Sequence, residues 1–374
     1  MQLRFTHDCM IALIVLSFFC AALTTFLITR VARRHARRYR QDMPQRFHSG
    51  HVPRIGGLGI FIGLGCAVLF AASPLGQHLN VNLPFWSSLA GLLCMVPAVG
   101  AGLVEDVTQK VPAKVRLGLT ALSAMLLCVL LGLQTNRLGL GPVDAWLHVS
   151  PWAAAAFAVI AIAGLPHAFN LIDGYNGLAG VVALIISLAL VHVALQLGDR
   201  QLAAALVCLA GATAGFLLWN YPRGKVFAGD GGAYVWGLVI AVGCIMLVQR
   251  HPAVSPWFPV LLLIYPVGET FFSIYRKLVR GQSPGMADAL HLHQLIFRRI
   301  VRVALQDDEA RELLSRNNRT SPYLWMFAAA SVVPAMLFWR NTTVLVICCL
   351  VFAAAYVGAY LMIIRFKVPR WLRM

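Results

Sequence analysis

Acidic residues and histidines recur in this chain at the ends of long apolar runs, where a membrane protein ordinarily has a short turn. They occur in four separate segments, GLVEDVTQK, FNLIDGYNG, FAGDGGAY and ADALHLHQ. The residues concerned are Glu105, Asp106, Asp173, Asp230, Asp288, His291 and His293. A carboxylate beside apolar sequence is costly to bury without a partner. Cations and phosphates are the partners that this set of residues predicts.

The residue types in these segments fit a site for magnesium and phosphate. Mg²⁺ prefers hard oxygen ligands and is usually held by one or two carboxylates together with substrate phosphates. The amide oxygen of Asn170 is a further acceptable ligand. Glycines around Asp173 and Asp230 let the backbone approach a phosphate with its N–H groups. The combination indicates phosphoryl transfer, in which positioning and charge neutralisation carry most of the catalysis.

Each segment also has a simpler interpretation. Glu105 and Asp106 could end a helix, with nearby lysines balancing their charge, and Asp173 could cap the helix that follows it. The GDGG sequence could be an ordinary turn, and His291 and His293 could be solvated loop residues. A shared site becomes the better interpretation if all four segments lie on one side of the membrane.

The elements that must position these residues are long apolar helices. The chain has 374 residues, of which 59% are hydrophobic and 12% are charged. Apolar runs of about 18 to 22 residues without a polar face are typical of a polytopic helical membrane protein. We therefore predict an all-α integral membrane fold, one domain over residues 1–374. The spans are expected at about 9–29, 55–72, 86–104, 116–133, 152–169, 177–197, 202–220, 231–249, 256–275, 322–339 and 343–364.

The distribution of basic residues predicts the orientation of these spans. When the connections are assigned to alternate sides, one side holds all 31 Lys and Arg residues except Arg4, Arg137, Arg200, Arg250 and Arg340. Lys and Arg concentrate on the cytoplasmic side of membrane proteins. Eleven spans are therefore expected, with the N-terminus outside, the C-terminus inside and the four polar segments on the cytoplasmic face. The same asymmetry explains the net charge of +17 without a nucleic-acid partner.

The connection over residues 276–321 is the longest polar stretch, and we predict it to be a cytoplasmic loop with an amphipathic basic helix. Such a helix could lie on anionic membrane lipid or pack against the inner ends of the spans. His291 and His293 would share a side only if their segment is extended and the helix starts after it. Apolar and basic residues recur there at helical spacing, namely Leu295, Ile296, Ile300 and Val303 against Arg298, Arg299 and Arg302.

Glu269 lies inside the predicted ninth span. An acidic residue within a membrane is a functional candidate by default. Arg276, at the inner end of the same span, offers a structural ion pair as the alternative.

The order and content of the motifs resemble one family of membrane enzymes. HVPRIGGLGIF, GLVEDVTQKVPAKVRL, FNLIDGYNGLAG, KVFAGDGGAY and SPGMADALHLHQLI resemble the motifs of the bacterial polyprenyl-phosphate N-acetylhexosamine-1-phosphate transferases, glycosyltransferase family 4. The resemblance implies a cytoplasmic cleft in the bacterial inner membrane, with the N-terminus in the periplasm. It implies a UDP-sugar donor, undecaprenyl phosphate as acceptor, release of UMP, and Mg²⁺ as cofactor with Mn²⁺ as an alternative. The product would be a lipid-linked sugar that initiates a cell-surface glycan such as O-antigen, and a homodimer is left open.

Matched motif by motif, the resemblance also implies roles for individual residues. Asp230 would be the principal Mg²⁺ ligand and Asn170 the second. Asp106 and Asp173 match the catalytic acids of the family. His291 and His293 match its nucleotide- or phosphate-contacting histidines, and Glu105 and Asn176 stand at positions expected to bind substrate.

This chain departs from the family pattern at Glu105, Asn176, Ala233 and Gln294, where the family has Asp, Asp, Ser and His. A neutral Asn176 weakens any mechanism that needs two acids in that segment. The departures favour an initiating transferase for a surface polysaccharide over the peptidoglycan enzyme. A transporter of lipid-linked sugars or an inactive scaffold of the same fold is the alternative. Transporters, however, place their polar groups near the bilayer midplane, whereas these acids cluster at one edge.

Overall fold

The computed structural model describes residues 2–36, 51–76, 81, 83–283, 290–301 and 309–365. Every regular element in these ranges is a helix, which confirms the predicted all-α class. In chain order the helices are α1 (Gln2–Ala36), α2 (Gly56–Ala72), α3 (Phe85–Thr108), α4 (Ala113–Leu131), α5 (Gly141–Val149), α6 (Pro151–Ile172), α7 (Leu178–Gln196), α8 (Arg200–Asn220), α9 (Gly229–Arg250), α10 (Trp257–Leu262), α11 (Ile264–Val279), α12 (Leu292–Arg299), α13 (Glu309–Leu337) and α14 (Thr342–Ile364).

Nine helices in the described ranges are long and apolar enough to cross a membrane. The protein is therefore a multi-pass membrane protein, as predicted. The expected total of eleven spans and their orientation stay predictions. Helix α2 matches the predicted second span and is apolar, but it has 17 residues. The nine are α1 through Cys9–Ala32, α13 through Arg311–Leu337, and α3, α4, α6, α7, α8, α9 and α14 over their full lengths.

The predicted ninth span, residues 256–275, is interrupted. It forms the short helix α10 and the separate helix α11, which meet at Leu263. Pro266 accounts for the break because proline has no N–H to donate to the carbonyl four residues earlier, here that of Leu262. Helix α11, which carries Glu269, therefore starts independently of α10.

Helix α5 lies in the connection between α4 and α6, where no helix was predicted. Pro142 stands in its first turn, a position that tolerates the missing N–H of proline. The carboxylate of Asp144 accepts hydrogen bonds from the N–H groups of Leu138 and Gly139 at 2.7 and 3.0 Å. Nine residues span too few turns for hydrophobic periodicity to reveal such a helix.

Helix α9 lies at the centre of the bundle, in contact with α2, α3 and α6. Its residues Tyr234 and Trp236 are completely buried. Glycines permit the close packing: a Cβ atom on Gly57 of α2 would lie 2.1 Å from the backbone nitrogen of Gly232. A Cβ atom on Gly102 of α3 would lie 2.6 Å from the nitrogen of Gly231. These contacts bring the end of α3 against the first turn of α9.

Helix α12, in the predicted amphipathic region, packs against α13 and α14. Its apolar residues Leu295 and Ile296 are buried, so the helix packs against other helices, the second of the two arrangements considered for it. His291 has an extended backbone and the helix begins at Leu292. The two histidines were expected to share a side only if the helix starts after their segment. That condition is wrong, because His293 lies inside the helix and its ring still stacks on that of His291. Arg302 and Val303 of the predicted pattern lie outside the described residues.

Candidate active site

Asp230 stands in the first turn of α9 and is contacted from three other positions. The side-chain nitrogen of Asn170, near the end of α6, donates to its Oδ1 at 2.7 Å. Arg116, in the first turns of α4, forms an ion pair with its Oδ2. The hydroxyl of Tyr234, one turn further along α9, lies 3.4 Å from the same oxygen. Three helices thus converge on one carboxylate, which remains 15% exposed.

Asp106 holds the first turn of α9 in place. Its Oδ1 accepts the backbone N–H of Asp230 at 2.8 Å, and its Oδ2 accepts the N–H of Gly231 at 2.9 Å. The first N–H groups of a helix have no partner within the helix, so Asp106 acts as a cap supplied by another helix. A Cβ atom on Gly229, which has φ +69°, would lie 2.3 Å from Oδ1 of Asp106. Gly229, the first glycine of the GDGG sequence, is therefore needed because any side chain there would collide with the carboxylate of Asp106.

Asp173 follows the last residue of α6, and its N–H donates to the carbonyl of Asn170 at 3.3 Å. Within the described part of the chain, its carboxylate has no hydrogen bond or ion pair. Burial, reinforced by the negative charge of Asp230 and opposed by Arg54, raises the pKa of Asp173 to about 7. A carboxyl group in this condition exists in both protonation states near neutral pH.

Arg54 reaches the site because the segment before α2 pairs with the segment before α9. The N–H of Phe227 donates to the carbonyl of Pro53 at 2.8 Å, and the N–H of Gly56 donates to the carbonyl of Phe227 at 2.9 Å. This backbone pairing places Arg54, lying between them, beside the turn that begins α9. Its positive charge acts on both Asp106 and Asp173.

The hydrogen bonds of Glu105 and Asn176 connect neighbouring segments of the chain and do not involve Asp230. Oε2 of Glu105 accepts the N–H of Val111 at 2.7 Å, which closes the turn between α3 and α4. Asn176 is 1% exposed, and its side chain donates to Oδ1 of Asn318 on α13 at 3.0 Å. The backbone N–H of Asn176 donates to Oδ1 of Asn317 at 2.8 Å. Substrate binding by Glu105 and Asn176 stays a prediction.

His291 and His293 lie side by side, next to the loop that contains Asp173. Their rings are nearly parallel, with an interplanar angle of 9° and centroids 5.3 Å apart. A Cβ atom on Gly174 would lie 2.9 Å from Nε2 of His293, and the ring of Tyr175 meets His293 edge to face. The histidine pair is therefore packed against the residues that directly follow Asp173. Asp288, from the same motif, lies outside the described residues.

Several partners in this arrangement were not identified in the sequence. Arg116 was counted only among the basic residues that fix orientation, although it lies in the same connection as Asp106. His167 lies one turn before Asn170, where its Nε2 is 3.0 Å from Oγ1 of Thr120. Its ring meets Tyr234 edge to face. One feature of the sequence could have identified His167: it stands three residues before Asn170, so the two side chains lie on the same face of a helix.

The oxygen donors around Asp230 fit a divalent cation that is held jointly with a substrate. No group of three or more His, Cys, Asp or Glu side chains that could hold a metal ion occurs among the described residues. What the site offers is the carboxylate of Asp230 and the amide oxygen of Asn170, whose nitrogen is used in the bond to Asp230. Mg²⁺ commonly takes only one or two protein carboxylates and completes its shell with phosphate and water. The donor set therefore fits Mg²⁺ better than a metal caged by protein ligands alone.

Comparison with known proteins agrees with the motifs. The profile named "Glycosyl transferase family 4" matches residues 88–248, a range that contains Asp106, Asn170, Asp173 and Asp230. The probable undecaprenyl-phosphate N-acetylglucosaminyl 1-phosphate transferase of Bacillus subtilis is 28% identical over 284 residues, which are 75% of this chain and 76% of that protein.

Two further relatives carry similar names. The undecaprenyl-phosphate alpha-N-acetylglucosaminyl 1-phosphate transferase of Thermotoga maritima is 27% identical over 282 residues, covering 75% of this chain and 80% of that protein. The decaprenyl-phosphate N-acetylglucosaminephosphotransferase of Mycolicibacterium smegmatis is 28% identical over 354 residues, covering 84% of this chain and 80% of that protein. The resemblance read from the motifs is thereby confirmed: this multi-pass membrane protein is similar to glycosyl transferase family 4 over residues 88–248 and to polyprenyl-phosphate N-acetylglucosamine-1-phosphate transferases over most of its length.

Proposed function

We propose that the protein transfers a sugar-1-phosphate from a UDP-sugar to a polyprenyl phosphate, releases UMP and so initiates a lipid-linked glycan in the bacterial inner membrane. The observation that carries this proposal is the convergence of Asn170, Arg116 and Asp106 on Asp230. The names of the relatives, each a polyprenyl-phosphate N-acetylglucosamine-1-phosphate transferase, support an N-acetylhexosamine as the sugar.

The reaction exchanges one phosphoanhydride for another. An oxygen of the lipid phosphate attacks the phosphorus attached to the sugar, and the bond from that phosphorus to the UMP oxygen breaks. No net proton is required when the lipid phosphate is fully ionised. Asp230 and Asn170 would hold Mg²⁺, which when bound supplies positive charge to the donor diphosphate.

Arginine side chains supply the rest of the positive charge. The N–H groups of Asp230 and Gly231 are already bonded to Asp106, so they are not available to a phosphate. Arg116 and Arg54 take that role because guanidinium groups bind phosphate oxygens in a fork geometry. Arg116 already contacts Asp230, and in the proposed complex it would contact the phosphate that the cation brings to Asp230.

Asp173 is suited to remove a residual proton from the acceptor. A phosphate monoester loses its second proton with a pKa of about 6, so near neutral pH part of the acceptor still carries it. The pKa of Asp173 is raised to about 7, chiefly by burial, and its carboxylate therefore holds a proton more tightly than the phosphate does. Proton transfer from the lipid phosphate to Asp173 is thus favourable.

We propose that the lipid chain of the acceptor occupies an apolar cavity of about 480 Å³ between α6, α9 and α11. It is lined by Ile160 and Ala168 of α6, Cys244 of α9, and Val267 and Phe271 of α11, among others. Ala168, at one end of the cavity, stands two residues before Asn170 on a different face of α6. An isoprenoid chain in this cavity would present its phosphate at the end of α6.

The test is release of UMP by the purified protein with Mg²⁺, polyprenyl phosphate and a panel of UDP-sugars. We expect release with a UDP-N-acetylhexosamine and none when the lipid phosphate is omitted, which separates transfer from hydrolysis. A matched control is Asp199→Asn, since Asp199 lies between α7 and α8 near Arg250 at the far end of α9 and should leave the rate unchanged. Absence of UMP with every UDP-sugar would overturn the proposal and favour an inactive scaffold or a transporter.

A further inference from the structure

Glu269 is completely buried, and both of its carboxylate oxygens are occupied. Oε1 lies 2.9 Å from Nδ1 of His291 and accepts the N–H of Leu292 at 3.3 Å. Oε2 accepts the hydroxyl of Tyr356 on α14. A buried carboxylate is tolerated when hydrogen bonds satisfy it. Glu269 thus joins α11, α14 and the start of α12 at one point.

The contact with Glu269 determines which ring nitrogen of His291 carries the proton when the ring is neutral. An ionised carboxylate can only accept hydrogen bonds, so the ring nitrogen that faces it must carry hydrogen. Nδ1 of His291 is therefore protonated in both the neutral and the cationic ring, and Nε2 is the nitrogen directed away from Glu269. Among the described residues, the hydrogen bonding of the His291 ring involves Nδ1 alone, which leaves Nε2 for a ligand.

The orientation of His291 is transmitted to the active site by ring contacts. His291 stacks on His293, and His293 packs on Gly174, the residue after Asp173. The His293 ring also meets Tyr175 edge to face with centroids 5.6 Å apart. A rotation of His291 would therefore disturb the loop that carries Asp173.

We propose that Glu269 is a positioning residue for the transfer reaction: it fixes the tautomer and orientation of His291, so that Nε2 is presented to the phosphate or nucleotide of the donor. The inference rests on the proposed function for the identity of the donor. Glu269 itself does not touch substrate in this account, and it acts only through His291.

A purely structural role for Glu269 makes a different prediction. By accepting the N–H of Leu292, Glu269 also stabilises the start of α12, and this effect does not depend on the His291 ring. A double-mutant cycle with Glu269→Gln, His291→Asn and the double variant separates the two roles. We expect each single variant to lower kcat/KM by roughly tenfold or more, the scale found when a metal-ligating histidine loses the partner that orients it. In the double variant the loss should be no greater than in His291→Asn alone.

Equal losses from Glu269→Gln in the wild-type and His291→Asn backgrounds would overturn the proposal. Tyr356→Phe removes one hydrogen bond from Glu269 and none from His291, so it provides a matched control for disturbance of the buried cluster. We expect it to lower the melting temperature and to leave the activity within about twofold of wild type, because the contact of Oε1 with His291 is retained.

A spectroscopic measurement on the wild-type protein tests the same inference independently of activity and of variant folding. ¹⁵N NMR of ring-labelled histidine distinguishes a protonated from an unprotonated Nδ1. His291 is assigned among the 11 histidines by its absence from the spectrum of His291→Asn or, if that variant does not fold, by its coupling to labelled Glu269. A protonated Nδ1 is expected, and an unprotonated Nδ1 would contradict the inference. Since this readout needs no turnover, it stands even if no UDP-sugar proves to be a donor.

Discussion

The carboxylate of Asp106 bonds to the backbone of Asp230, with Oδ1 lying 2.8 Å from the backbone nitrogen of that residue. Two acids that are far apart in the sequence are therefore linked through a helix cap, and only one of them, Asp230, directs its side chain toward Asn170 and Arg116. Asp106 is 3% exposed. Its geometry is that of a residue that positions Asp230, and its predicted role as a catalytic acid has no support from these contacts.

Replacing Asp106 by Asn tests this relationship. The amide offers one oxygen where two are needed, so one backbone N–H of α9 loses its acceptor and faces an NH₂ group. Leaving a buried donor unsatisfied costs about 1–3 kcal/mol. We expect Asp106→Asn to lower both the melting temperature and the transfer rate. An unchanged melting temperature with complete loss of activity would instead indicate direct chemistry by Asp106.

The close contact of α3 with α9 provides a second test with a control on the same helix. A methyl group on Gly102 would meet backbone atoms of Asp230 and Gly231 at 2.8 and 2.6 Å, whereas one on Gly100 would meet nothing within 4 Å. Overpacking of this kind costs typically about 1–3 kcal/mol. Gly102→Ala should therefore destabilise the protein and impair transfer, and Gly100→Ala should do neither. Equal melting temperatures and rates for the two variants would show that this contact does not position α9.

Asp173 should give the reaction a pH dependence that the lipid phosphate alone does not. Its pKa is raised to about 7, by burial first and then by the charge of Asp230, so the carboxylate that accepts a proton becomes more abundant as the pH rises through 7. The contribution of Asp173 should peak between the pKa of the phosphate, about 6, and its own pKa of about 7. We therefore expect Asp173→Asn to lower the rate more at pH 6.5 than at pH 8, where the acceptor has no proton left to remove. The ionisation of the phosphate at about pH 6 should remain in the variant.

The same raised pKa has a consequence for stability. A carboxyl group with a raised pKa in the folded state stabilises the fold at low pH, and this contribution is lost as the pH rises through about 7. Asp173→Asn should therefore raise the melting temperature relative to wild type at pH 8 more than at pH 5. A variant that is less stable than wild type at pH 8 would mean that the carboxylate is stabilised by a partner.

Asp199 lies near the other end of α9, and its contribution to the stability of the fold should depend on pH in the opposite direction to that of Asp173. Burial alone would raise the pKa of Asp199, but the N–H of Leu202 together with His251 and Arg250 outweighs burial and lowers it. Its contribution to stability is therefore present above the unfolded pKa of about 4 and is lost as the pH falls below that value.

Two variants separate the charge of Asp199 from its helix cap. Asp199→Asn keeps an acceptor for the N–H of Leu202 and should cost less than about 1 kcal/mol, because Arg250 is 42% exposed. Asp199→Ala also removes the cap and should cost roughly 1 kcal/mol more. The melting temperatures at pH 7 and pH 3.5 measure both effects, and a larger loss in Asp199→Asn than in Asp199→Ala would contradict this assignment.

The sequence predicted most of the spans because an apolar run long enough to cross a bilayer has few other uses. It also predicted that Asp230 and Asn170 would meet, since the motifs that contain them were expected on one membrane face. The break at Leu263 was missed because a proline inside an apolar helix does not always interrupt it.

Partners within the site were less predictable than the site itself. Nothing in the sequence distinguishes Asp106, which caps α9, from Asp173, whose carboxylate stays without a described partner, because the difference arises only when α3 packs on Gly231. The role of Asn176 was equally hidden, since its contacts come from Asn317 and Asn318, far along the chain. Glu269 was recognised as a candidate, but its contact with His291 depends on how α12 returns to the bundle.

The central claim, transfer of a sugar together with its phosphate at Asp230, is tested most directly with a UDP-N-acetylhexosamine labelled in the β-phosphate. The label should move from the nucleotide to the polyprenyl fraction in the presence of Mg²⁺, leaving unlabelled UMP, and Asp230→Ala should abolish this transfer while Asp199→Asn retains it. Label that remains with the nucleotide, or full transfer by Asp230→Ala, would contradict the account.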